Sequence, residues 1–160
     1  MRYFQLWLES TRLSGFMNQA RFGWPICACL HFLGLSLLLG TVGLFDLRLL
    51  GVAKGLSPAA MHRFVRWGVL GFAINLITGT MFIVGKPDRY IYNPAFELKL
   101  VFLLVLGINV LVFYSIVHSK VAVLGPGDSA PLGAKIVAAT SFLLWIGVIC
   151  AGRMVAFFIP

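Results

Sequence analysis

Trp24-Pro-Ile-Cys-Ala-Cys-Leu-His31-Phe-Leu-Gly-Leu-Ser-Leu-Leu-Leu-Gly-Thr-Val-Gly-Leu-Phe45 holds no residue with a fixed charge. At ~1.5 Å of rise per residue, a helix of this length crosses a ~30 Å hydrocarbon core. An aromatic and a proline open it, which suits a first helical turn at a membrane interface. Charge returns only at Asp46-Leu-Arg48. The run therefore predicts a first membrane span over about 24–45.

Composition extends the reading to the whole chain. Hydrophobic residues make up 60% of it and charged residues 11%, and the mean hydropathy is +0.95. A soluble domain carries roughly 25% charge, so this chain lacks the polar residues to cover itself in water. Its length corresponds to a single domain, 1–160. The net charge of +8 comes from Lys and Arg at the ends of apolar runs, where they meet anionic lipid headgroups. That placement favours a lipid partner and argues against nucleic acid. Cys27, Cys29 and Cys150 lie inside apolar runs, which argues against a disulfide framework. The first residues lack the apolar core and small-residue cleavage site of a signal peptide.

Three further spans follow, over about 61–84, 96–118 and 136–158. The loop at 49–58 holds Gly51, Gly55 and Pro58. The loop at 85–94 holds Pro87, Asn93, Pro94 and two tyrosines. The loop at 119–135 holds Gly125-Pro-Gly-Asp-Ser-Ala-Pro131. In the second span Gly68, Gly71, Asn75 and Thr78 share one face, the small and polar stripe of a packed membrane interface. Residues 3–17, with Phe4, Trp7 and Leu8 on one side, predict a short amphipathic helix lying in the interface. The expected fold is an all-α, integral-membrane, up-down four-helix transmembrane bundle with that N-terminal helix attached. The basic residues divide nearly evenly between the end carrying the termini (side A) and the opposite end (side B). Side B crowds its share into two short loops and is the expected cytoplasmic face.

The order of several motifs resembles a family of uncharacterised four-helix bacterial inner-membrane proteins of unknown function, distantly like the membrane domain of the copper-resistance protein CopD. The resemblance spans nearly the whole chain. It rests on Trp7-Leu-Glu-Ser, Pro25 with His31-Phe-Leu-Gly34, and Asp46-Leu-Arg-Leu-Leu-Gly51. It continues through Thr78-Gly79, Asn93-Pro-Ala-Phe-Glu-Leu-Lys99 and Asn109, and ends with Trp145 and Gly152-Arg153. It implies a multi-pass protein of the bacterial inner membrane and no particular reaction. Relatives often carry a glutamate three residues before the membrane histidine. Here that position is Ala28, so a Glu–His site would be halved, or replaced by Cys27 and Cys29.

Ionisable residues inside spans mark candidate sites. His62 and His118 fall at one depth on side B, as axial ligands of a b-type haem would between facing helices. Against this, His62 lies opposite the Gly71–Asn75–Thr78 stripe at 100° per residue, which turns it toward lipid, although His118 shares a face with Gly107 and Tyr114; the plainer reading makes both interfacial residues beside the basic loops. Cys27 and His31 are four apart on one face and could hold copper or zinc. The plainer reading is a small hydrophobe beside a hydrogen-bonded histidine. Lys99 and Arg153 at side A either snorkel to headgroups or, with His31 below them, hold a ligand: a lipid phosphate, a quinone carbonyl or a haem propionate. Asp46 and Arg48 point to different faces and read as a span-end cap. Phosphate-loop, GxSxG and HExxH patterns are absent, so catalysis is not expected of the isolated chain. Two function classes emerge. One is a small subunit associated with haem b or quinone in electron transfer. The other is an accessory, assembly or copper-handling membrane subunit of a larger complex or homo-oligomer.

Overall fold

The computed structural model describes residues 2–52 and 54–158. Its elements are α1 (Arg2–Glu9), α2 (Arg12–Gln19), α3 (Gly23–Leu50), α4 (Pro58–His62), α5 (Val65–Gly85), α6 (Pro87–Ile91), α7 (Pro94–Val112), α8 (His118–Ala122) and α9 (Leu132–Met154). One π-helical turn, Phe113–Val117, joins α7 to α8. Four helical stretches are long and apolar enough to span a membrane: Gly23–Leu50, Ala60–Gly85, Pro94–Ala122 and Leu132–Met154. The chain is an all-α, multi-pass membrane protein.

Local chemistry sets the boundaries. The first span outlasts the return of charge at Asp46, because Asp46 and Arg48 are both buried and the helix has no reason to stop there. It stops at Gly51, whose φ of 100° is the left-handed conformation that a helix C-terminus uses. The N-terminal helix expected over 3–17 is two helices. The Thr11 side chain accepts from Ser14 N and starts the second one. Met17 is fully buried there, and Asn18 donates to Gly85 O at 2.9 Å, pinning this arm to the side-A end of α5.

The helices pack as two antiparallel pairs. In the first pair, α3 meets α5 through glycine. A Cβ on Gly71 would stand 2.6 Å from Gly34 O and 2.7 Å from Leu38 N. In a bilayer, where lipid tails are as apolar as leucine, such close backbone approach drives association. In the second pair, α9 meets α7 at Gly147, which lies under the Phe102 ring, and through Asn109 Nδ2, which donates to Val137 O at 3.1 Å. The pairs join between α3 and α9, where Leu38, Leu106, Trp145 and Val148 form one core. No comparable packing links α5 to α7, so the bundle is splayed along that side.

Asn93 closes side A. Its Oδ1 accepts from Ala95 N and Phe96 N at the start of α7. Its Nδ2 donates to Val155 O and Phe158 O beyond the end of α9. Asn93→Ala loses both the cap and this tether and is expected to cost about 2 kcal/mol. A lower melting temperature in detergent is the readout, and an unchanged one contradicts this role.

Candidate functional site

The gap between α5 and α7 is a cavity of about 370 Å³, within the range of small-molecule sites. Leu38, Phe72, Leu103 and Trp145 line its mid-membrane part. Its polar lining consists of His62, Asp46 and Tyr114 toward side B, with Asn109 and Ser141 nearer mid-span. A second cavity of about 170 Å³ adjoins it, lined in part by Phe45, His62 and His118. The space is therefore amphipathic, mostly apolar at mid-bilayer and polar near one face.

Two backbone irregularities shape the polar end. The second span is interrupted at Arg63–Phe64, between α4 and α5. The 100° arithmetic that turned His62 toward lipid assumes one continuous helix, and the interruption cancels it. His62 instead packs inward against Phe45, with ring centroids 6.4 Å apart. In the third span, the π turn holds Tyr114 and places His118 just after it. Insertions of this kind rotate the following residues about the helix axis and cluster at functional sites. The result is an aromatic knot. The His62 and His118 centroids are 5.2 Å apart, Tyr114 lies 6.1 Å from His62 and 5.4 Å from His118, and Tyr114 Oη hydrogen-bonds His62 Nε2 at 3.3 Å.

Asp46 is the residue that sequence reasoning missed. It is 5% exposed, its Oδ2 has no hydrogen-bond partner, and Ser141 is its polar neighbour. An unpartnered buried carboxylate oxygen is costly. The sequence marked it only as a charge at the end of the first apolar run. Arg48, two residues on, turns away as expected. It is 0% exposed and donates to the carbonyls of Leu56, Gly125 and Asp128.

The other candidates lie near side A. His31 Nδ1 meets Thr78 Oγ1 at 2.7 Å, and that hydroxyl already donates to Ile74 O. Cys27 Sγ donates to Thr78 O at 3.5 Å, so Cys27 and His31 converge on one residue of α5. Cys29 and Cys150 are exposed. Among the described residues no group of three or more His, Cys, Asp or Glu could hold a metal. Lys99 lies across Gly152, its Nζ 3.6 Å from where a Cβ would stand, within electrostatic range of His31. Arg153 is exposed. Outside the spans, burial pushes the Tyr90 phenol above its ordinary value, so it stays protonated as a donor. His62 and His118 thus belong to one end of the protein, and Cys27, His31 and Lys99 to the other.

No curated protein and no solved structure matches the chain. A family model does, over residues 4–158, which is nearly its full length. The chain belongs to the family of unknown function DUF6644.

Proposed function

We propose that this protein is a small membrane subunit that holds a lipophilic carrier of the quinone class in the α5–α7 cleft, in the service of electron transfer. The observation that carries the reading is the uneven polarity of the cleft: a mostly apolar body, with Asp46, His62 and Tyr114 gathered at the side-B end. A quinone has the matching form, an isoprenoid tail and a small ring with oxygen at its edge. The splayed α5–α7 side lets such a tail reach the lipid.

Haem b fits this arrangement less well. Imidazoles that bind opposite faces of one iron must stand apart by the thickness of a macrocycle. Here the His62 and His118 rings pack against each other, Tyr114 packs against both, and its hydroxyl takes His62 Nε2. A copper-handling role would rest on Cys27 and His31, whose Sγ and Nδ1 both face Thr78; a purely accessory role rests on no site residue.

Protein purified in mild detergent, then extracted with organic solvent, is expected to release about one equivalent of isoprenoid quinone. Its oxidised and dithionite-reduced spectra are expected to lack sharp α and Soret bands. Haem bands would overturn this reading in favour of the bis-histidine one. Protein free of both quinone and haem would leave the accessory role.

A further inference from the structure

The cleft has one unmet demand. Asp46 Oδ2 is buried, lines the cleft and has no donor. The polar groups around it are largely engaged. Asn109 Nδ2 is spent on Val137 O, and His62 Nε2 on Tyr114. Ser141 lies beside the carboxylate without satisfying Oδ2. With Asp46 ionised, Oδ2 is an acceptor and its complement is a hydroxyl. A fully oxidised quinone ring offers only carbonyl acceptors. A quinol, or any other prenylated phenol, offers O–H.

The cleft wall holds a second clue. Gly107 lines the cavity, and a Cβ added there meets nothing within 4 Å. Gly68, on the opposite wall, is sterically closed: its Cβ would stand 2.7 Å from Thr41 Oγ1. Gly68 is thus needed for helix packing, whereas the bare surface at Gly107 keeps the cleft open. We infer that Asp46 selects the hydroxyl-bearing, reduced form of the ligand, and that the ligand tail passes over Gly107 between α5 and α7. This rests on the cleft being a quinone-class site. It adds which redox form is bound, which residue reads it and where the tail lies. No electron transfer is needed for the selection, which is an equilibrium preference set by one hydrogen bond.

The test measures, at alkaline pH so that the Asp46 carboxyl is ionised, binding of reduced and of oxidised decyl-ubiquinone to the full chain in detergent, the reduced form being kept under dithionite. Wild type is expected to bind the quinol about tenfold more tightly than the quinone, the worth of one hydrogen bond to a buried carboxylate. Asp46→Asn, whose amide can donate as well as accept, is expected to bring the ratio to about one. Gly107→Phe is expected to abolish binding of both forms while leaving the melting temperature unchanged, because its side chain grows into empty space. Equal binding of the two forms by wild type, or tighter binding of the quinone, overturns the role of Asp46. If Gly107→Phe still removes binding in that case, the cleft reading survives alone. Undiminished binding to a folded Gly107→Phe protein overturns the cleft reading itself. An Asp46→Asn protein that fails to fold leaves the wild-type preference and the Gly107→Phe result to decide.

Discussion

Gly71→Leu is expected to separate α3 from α5 and to abolish the monodisperse folded protein in detergent. Even Gly71→Ala is expected to cost about 3 kcal/mol, the upper range of overpacking penalties. The reason is what the new atom meets. Gly34 O and Leu38 N, at 2.6 and 2.7 Å, are backbone atoms of α3, and no rotamer change can move them. The reciprocal position is as tight. A Cβ on Gly34 would stand 2.7 Å from Asn75 Nδ2 and 3.0 Å from Gly71 O, and Asn75 Nδ2 is itself bonded to Gly71 O at 2.9 Å. The helices can admit a methyl group only by moving apart, which loses the dispersion contacts that hold membrane helices together. Gly107→Ala is the control, since its Cβ meets nothing within 4 Å. Equal melting temperatures for the two alanine variants would show that the glycine contact does not hold the pair.

Arg48→Met is expected to release side B, at a cost of about 4 kcal/mol. The guanidinium of Arg48 donates to Leu56 O, which precedes α4. It also donates to Gly125 O at 3.1 Å and to Asp128 O at 3.2 and 3.3 Å, in the loop before α9. The same two loops meet once more where Gly127 N donates to Lys54 O at 2.8 Å. Methionine matches the length of the stem but leaves three carbonyls without their donor. Lysine is not expected to rescue, because one ammonium cannot reproduce the fork that reaches all three. Lys54 and Lys120 flank these loops and are exposed, so limited trypsin digestion reads the effect. Cleavage at these sites is expected to rise more than tenfold over wild type, since ~1.4 kcal/mol of local opening is already worth a factor of ten. An unchanged cleavage rate would mean that the loops are held without the arginine.

The two positions differ in how far the sequence announced them. Gly71 belongs to the Gly68–Gly71–Asn75–Thr78 stripe, whose spacing marks a packing face before any partner is known. That face does meet α3. Arg48 resembles a span-end cation and nothing in its neighbours predicts full burial, because its acceptors are up to 80 residues away in the chain. His62 shows why periodicity reaches only as far as a helix is continuous. The phase computed from the stripe of α5 points it to lipid, and the interruption at Arg63–Phe64 points it to Tyr114 and His118. Asp46 was visible as an acid at a span end. Whether such a group is a cap or an unpartnered acceptor in a cleft depends on what stands opposite, here Ser141 of α9 and the space left by α7.

The amino-acid sequence by itself determined that the chain is a membrane helix bundle of four spans. Mean hydropathy, the length of the apolar runs and the proline and glycine breaks between them are local properties, and a bilayer converts them directly into helices. Only the tertiary structure decided where the cleft lies and what faces it. That depended on which helices approach through glycine, on the splay between α5 and α7, and on two interruptions of helical phase near His62 and His118. Each of these is a compromise between distant segments, so no single stretch of sequence contains it.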